Sequence, residues 1–279
     1  MERKKKIEQC ILALYQKNVD SILSTNKILL PPPDPGKAYG EYELGTVMYD
    51  DRQVCKFGLR EKEFLRHLGL FGITGTGKSN VVFKIIDELM QKGKKVFIFD
   101  WKKQYRDYLS FRQDADILIF GVGNKEIPCF QFNPLIPPAG IEPYQYLEHV
   151  CQIVANSYYC GEGVISLLRK GINQLYEEFG VYSGNAVEYP TFKDVLEWLN
   201  NTEKKGRAKE WQDSAIRSLE AICHGGIGQI VNVQNPTMKL SELLNRNVIL
   251  ELGDLGQSQK SFIIQSLLTY LYYFAMNRG

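Results

Sequence analysis

The sequence predicts an α/β fold: a parallel sheet with crossover helices, interrupted by a long α-helical insertion. Three observations predict it. A glycine-rich loop at 72–79 joins an apolar run, "LGLFG", to an amphipathic stretch, "SNVVFKIIDELMQKG". Two more apolar runs, "KVFIFD" and "DILIFG", follow at strand–helix–strand spacing, which implies parallel pairing with crossover helices. From about 140 to 245 the apolar spacing turns helical, before "NVILEL" (247–252) returns as a strand.

Taken in order, residues 4–23 carry Ile7, Ile11, Leu14 and Ile22 at near-helical spacing. "PPPDPG" at 31–36 stops any helix, because proline lacks the amide and clashes with the preceding turn. Residues 1–36 therefore read as an N-terminal helix and linker. Residues 37–139 read as a hairpin plus the first half of the α/β domain. Within them, "TVMYDDRQVCKFG" has two strand-like runs around Asp50-Asp51-Arg52. "LGLFG" is expected as a buried strand. The next helix has its stripe at Val81, Val82, Ile85, Ile86, Leu89 and Met90, and Gly93 supplies its stop. Residues 140–245 form the helical insertion, and Thr191 with Asp194 makes a capping-box-like start within it. Residues 246–279 supply the return strand and a last helix. That helix, "SFIIQSLLTYLYYFAMNRG", is shorter than a membrane span usually needs, and Gln265, Ser266 and Thr269 break it. It reads as a buried helix, with no membrane insertion.

Composition excludes little. The 279 residues carry a formal net charge of +2, so charge alone does not announce a nucleic-acid binder. The basic runs "MERKKK" and "EKKGRAKE" read as solvated faces. The six cysteines (Cys10, Cys55, Cys129, Cys151, Cys160, Cys223) form no C-x-x-C pair, and only Cys223 has a neighbouring histidine, His224. Lys, Asn, Asp and Gln interrupt the N-terminus, which argues against a signal peptide. A reduced, cytoplasmic chain is expected.

The loop Gly72-Ile73-Thr74-Gly75-Thr76-Gly77-Lys78-Ser79 fits G-x-x-x-x-G-K-[ST] at every fixed position. Its glycines let successive amides turn toward phosphate oxygens. The helix starting near Lys78 adds its positive N-terminal end. Lys78 is expected on the β- and γ-phosphates, and the Ser79 hydroxyl on Mg²⁺. The pattern is specific for a nucleoside triphosphate and silent on the reaction.

Two phosphate-loop families fail on particular residues. A GTPase needs N-K-x-D, but "GNKEIP" places Ile127 where the aspartate belongs. An ABC ATPase needs L-S-G-G-Q, and in "LGDLGQSQKS" Asp254 and Leu255 spoil the glycine pair. A third comparison holds over an ordered set of segments. "RHLGLFGITGTGKSN", with Thr74 and the trailing Asn80, "VFIFDWKKQY", "QFNPL" and "NVILELGDLGQSQKSFIIQSLLTYLYYF" resemble, in that order, the HerA-like branch of the HerA/FtsK superfamily. That superfamily includes type IV secretion and conjugation ATPases. The resemblance runs from about residue 45 to the end of the sequence.

The resemblance implies a three-layer RecA-like P-loop domain that binds ATP with Mg²⁺. It implies residues 72, 74–77, 78, 79 and 80 (Gly72, Thr74, Gly75, Thr76, Gly77, Lys78, Ser79, Asn80) at the phosphates. It also implies Asp100, at the end of the second strand, as a residue of the ATP site; a strand-end aspartate is equally a common turn residue. By resemblance the parent function is DNA translocation or unwinding in a homo-hexamer, with a nuclease as a possible partner. A secretion or conjugation ATPase, or a non-hydrolysing assembly module, are the alternatives.

The sequence departs from the family in two places. Lys103 and Gln104 stand where many members have Gly-Glu, so no role of that glutamate carries over. The family's Walker B strand, four apolar residues then Asp-Glu, has no counterpart in the sequence. Catalysis by positioning and charge stabilisation depends on such groups. The expectation is that the chain is the N-terminal portion of a longer ATPase, binding ATP weakly and hydrolysing it poorly by itself.

Overall fold

The computed structural model describes residues 6–16, 31–112, 116–122 and 127–277. Ile22, the basic residues 3–5, Asn124 and Lys125 lie outside the described residues. The chain divides into two compact units, Met1–Lys92 and Gly93–Gly279.

In the first unit, helix α1 covers residues 6–16. A short helix, α2 (Pro35–Ala38), forms within the proline run where the sequence predicts a helix stop. Proline occupies its first position, where a missing amide costs nothing, and Asp34 Oδ1 accepts the Gly36 amide at 2.9 Å. Strands β1 (Tyr42–Tyr49) and β2 (Arg52–Leu59) pair antiparallel, with Tyr49 opposite Arg52. The two residues between them, Asp50 and Asp51, take φ 46° and 60°. That left-handed pair matches the twist of a two-residue hairpin, and aspartate tolerates the conformation better than most residues. Helices α3 (Glu61–Phe64) and α4 (Lys78–Gln91) follow. Ile85 and Ile86 of α4 are buried, and α4 lies against β1. Glu88 fastens that contact: it accepts the Glu43 amide at 3.1 Å and is held by Lys84 at 2.8 Å. The lysine holds the Glu88 carboxyl below its ordinary value.

The run "LGLFG" departs from expectation. No strand forms over residues 67–71, and Leu68 and Phe71 are 51% and 94% exposed. Apolar composition suits a strand, but a strand exists only through a ladder that pairs its amides and carbonyls. Neither of the sheets among the described residues includes this run.

The second unit holds the parallel sheet. Its elements in order are β3 (Phe97–Asp100), α5 (Tyr105–Phe111), β4 (Ile117–Gly121), α6 (Pro143–Tyr158), α7 (Glu162–Glu178), α8 (Phe192–Asn200), α9 (Arg207–Cys223), α10 (Gly225–Val231), α11 (Leu240–Leu243), β5 (Asn247–Glu251) and α12 (Gln257–Met276). The strand order is β3-β5-β4, all parallel, so the strand that comes last in sequence sits in the middle. Val248, Ile249 and Leu250 of β5 are fully buried. A central parallel strand is covered on both faces, which is why its sequence is continuously apolar rather than alternating.

Helices α6–α10 enclose one core with β5 and α12, including Leu147, Val154, Leu168, Phe192, Leu219 and Phe262. At the start of α8, Asp194 Oδ2 accepts both the amide and the hydroxyl of Thr191, at 2.6 and 2.7 Å. The "NPL" turn is organised by a buried amide. Asn133 Oδ1 accepts the Leu135 amide at 2.9 Å and its Nδ2 donates to the Pro190 carbonyl at 3.0 Å. No helix among the described residues is long and apolar enough to cross a membrane.

Candidate functional site

The glycine-rich loop lies between residue 71 and α4 in the first unit. Gly75 and Gly77 take φ 87° and 82°, a region costly for residues with a Cβ. Gly72 is required for a different reason: a Cβ there would stand 2.8 Å from Thr76 Oγ1 and 3.6 Å from the Lys78 side chain. The loop is therefore wound too tightly for a side chain at its entry, and it turns left-handed twice before the helix.

Three donors gather on one oxygen of this loop. The Ile73 carbonyl accepts the Thr76 amide at 3.4 Å, the Thr76 hydroxyl at 2.8 Å and the Lys78 ammonium at 2.5 Å. A cluster of donors around a single carbonyl is the arrangement a phosphate oxygen would enter, since a charged acceptor makes stronger bonds to an ammonium than a neutral one. The entry to α4 has the same character. Its N-cap is Gly77, no side chain caps it, and its first turn carries no acidic residue. Its leading amides and its positive end are thus left for an anion. Ser79 and Asn80 sit in that exposed first turn. The donors, the glycine cradle and the uncapped helix fit phosphate oxygens, and Ser79 is exposed on the same turn. Of the site residues read from the sequence, all but Asp100 lie together here.

Asp100 belongs to the second unit, at the carboxyl end of β3, and is 2% exposed. Its two oxygens accept the Lys102 amide at 2.9 Å and the Tyr105 amide at 3.0 Å. The carboxylate thus shapes the turn leading into α5. Lys103 in that turn takes φ 56°. This is the position where the resembling family has glycine, and the backbone keeps the left-handed conformation that favours glycine even though the residue is lysine.

The structure adds residues that sequence reasoning missed. Asp100 and Glu251 are register partners at the carboxyl ends of β3 and β5. Glu251 is buried at 2% exposure, and Arg106 of α5 meets it with two parallel bonds of 2.5 and 2.8 Å. Lys103 pairs with Asp254 at 2.8 Å, and the Lys260 ammonium lies 5.0 Å from the Trp101 ring centre. These bonds tie the loop after β3 to the loop after β5. In open α/β sheets ligands bind at the carboxyl ends of the strands. No sequence spacing signals Glu251 and Arg106 as partners, because 145 positions separate them.

Comparison with known proteins identifies the family and the fold. The family described as "Helicase HerA, central domain" matches residues 42–272. The DNA double-strand break repair helicase HerA of Saccharolobus solfataricus is 25% identical over 203 residues, which is 66% of this chain and 37% of that protein. The chain therefore spans little more than a third of that relative. Among solved structures, VirB4 of Thermoanaerobacter pseudethanolicus superposes with a TM-score of 0.51 at 15% identity, over 75% of this chain and 56% of that one. The plasmid coupling protein TrwB, solved with the ATP analogue ADPNP, superposes with a TM-score of 0.50 at 14% identity, over 72% and 51%. The likeness to these two shows the fold alone: an α/β fold of the RecA-like P-loop type. With the family match spanning most of the sequence, the chain belongs to the HerA central-domain family of the HerA/FtsK-type P-loop ATPases.

Proposed function

We propose that this chain is the ATP-binding portion of a DNA translocase or helicase of HerA type. The observation that carries the reading is the convergence of the Thr76 and Lys78 donors on the Ile73 carbonyl, in a loop whose glycines leave no room for a side chain at Gly72. Thr74, Gly75, Thr76 and Gly77 line the phosphates with backbone amides, Lys78 reaches the β- and γ-phosphates, and Ser79 and Asn80 complete the first turn. Ser79 holds Mg²⁺, which neutralises phosphate charge when bound. Asp100 fixes the turn on the second strand, and through it the end of the sheet.

Residues 37–139 and 246–279 supply the ATPase domain and 140–245 the helical insertion. In the complete cytoplasmic assembly, a homo-hexamer, ATP turnover is coupled to movement on DNA, with a nuclease as the fitting partner. The sequence match to a DNA-repair helicase favours this over a secretion ATPase.

The test is equilibrium binding of a fluorescent ATP analogue with Mg²⁺ to the purified chain. Lys78→Ala is expected to weaken binding by about tenfold or more, the effect of losing one charge-assisted bond. Unchanged affinity would overturn the assignment. The chain alone is expected to release phosphate slowly, since no run of four apolar residues in it ends in Asp-Glu.

A further inference from the structure

A cleft of about 480 Å³ opens in the second unit beside the "NPL" turn. Its volume lies within the range of roughly 300–1,000 Å³ usual for small-molecule sites. Its walls include Phe132, Tyr189, Met238 and Tyr270, with Gln131 and Lys239 among its polar groups. None of these residues belongs to the phosphate loop or to the Asp100–Glu251 end of the sheet.

The cleft is held open by bonds that are already made. Three consecutive residues each tie to a different segment. Gln131 Oε1 accepts the amide and hydroxyl of Thr237 at 3.2 and 2.9 Å, the Phe132 amide donates to the Ile230 carbonyl at 3.0 Å, and Asn133 Nδ2 donates to the Pro190 carbonyl. The last bond fixes Tyr189, the neighbour of Pro190, relative to Phe132. On the α12 wall the Tyr270 ring meets Phe132 edge-on, with centres 6.0 Å apart and planes at 89°. Because Thr237 occupies the Gln131 oxygen, the NH₂ end of that amide is the end left to donate. Lys239 is exposed.

Three features narrow the ligand. Aromatic and thioether surface favours a flat, polarisable group. The Gln131 NH₂ asks for a hydrogen-bonding edge, and a purely aliphatic ligand would bury it unpaired; the Asn235 amide at the same cleft already donates to the Val187 carbonyl at 3.2 Å. The lysine favours an anionic substituent. A sugar phosphate alone would leave the aromatic walls unused. A nucleobase carrying a phosphate uses all three. We propose that this cleft is a second nucleotide site, which takes a nucleobase between its aromatic walls with the attached phosphate near Lys239. The base comes either from a free mononucleotide or from an unpaired nucleic-acid strand.

The experiment is photo-crosslinking of the full chain carrying Lys78→Ala, so that the phosphate loop does not compete. One arm uses free 5-iodo-deoxyuridine monophosphate, and the other a single-stranded oligodeoxynucleotide containing 5-iodouracil. Adducts are mapped by peptide mass spectrometry. Adducts are expected at Phe132, Tyr189, Met238 or Tyr270. Labelling by the mononucleotide assigns the site to free nucleotide; labelling by the oligonucleotide alone assigns it to a strand. Lys239→Glu, a change at an exposed residue, is expected to weaken labelling about tenfold at low salt, the effect of one phosphate contact. Adducts only elsewhere, no adduct from either probe, or labelling indifferent to Lys239→Glu would each overturn the proposal. Because the loop is disabled throughout, failure here leaves the ATP assignment at Lys78 standing.

Discussion

Removing Arg106 tests the energetics of the sheet's carboxyl end. Glu251 has a side chain 1% exposed, while Arg106 is 40% exposed. Arg106→Ala strands a carboxylate in the interior. Breaking a fully buried pair costs about 3–5 kcal/mol, and the solvent already at Arg106 lowers the expectation here to about 2–3 kcal/mol. Arg106 makes other contacts as well, so the effect must be separated from them. Glu251→Gln does this by keeping the shape and removing the charge. In that background Arg106→Ala should cost about 1 kcal/mol or less, leaving a coupling of roughly 1.5 kcal/mol. The surface pair Lys209–Asp213 of the same unit, with side chains 52% and 46% exposed, is the contrast, and Lys209→Ala should cost under about 1 kcal/mol. Urea denaturation followed by tryptophan fluorescence is the assay. The three tryptophans, Trp101, Trp198 and Trp211, all lie in the second unit, so the signal reports that unit alone. If Arg106→Ala costs the same in the parent chain as in the Glu251→Gln background, the reasoning is refuted.

Other perturbations follow from single positions. A Cβ at Gly163 would stand 2.2 Å from the Trp211 ring, so Gly163→Ala should destabilise the α7–α9 contact by about 1–3 kcal/mol; an unshifted thermal midpoint would contradict the packing. Gly75→Ala meets no atom within 4 Å but must adopt φ 87°, so it should cost about 1–2 kcal/mol through the backbone alone and weaken ATP-analogue binding; unchanged affinity would show that the left-handed turn is dispensable. Burial pushes the Cys151 thiol from 9.0 up to about 12 and the Cys223 thiol up to about 11. Between the unfolded and folded values the unfolded chain holds fewer protons, so stability falls as pH rises from about 9 toward 11 and 12. At pH 8 the exposed Cys10 should alkylate well before Cys151, and equal rates would argue against that burial.

Much of the site is legible in the sequence because its geometry is local. A left-handed glycine, a lysine five positions from the carbonyl it meets, and an uncapped helix start are all set by neighbours within a few residues. The apolar stripe of α4 is likewise a matter of period. The run "LGLFG" is the exception. Its composition indicates a strand, while strand formation requires a partner ladder that composition does not name. "PPPDPG" also opens a short helix of its own at Pro35, because proline is harmful inside a helix and harmless at its first position.

The amino-acid sequence by itself determined the glycine-rich loop, the α/β alternation and the family, each carried by contiguous residues or by their order along the chain. The tertiary structure decided which distant residues meet. It placed β5 between β3 and β4, set Glu251 beside Asp100 and under Arg106, and closed a cleft from residues 131–133, Tyr189 and Tyr270. The physical reason lies in the range of the interactions. Backbone dihedrals and periodicity are fixed within a few positions, whereas a buried ion pair or an aromatic wall between distant segments exists only after the chain has collapsed and chosen its strand order.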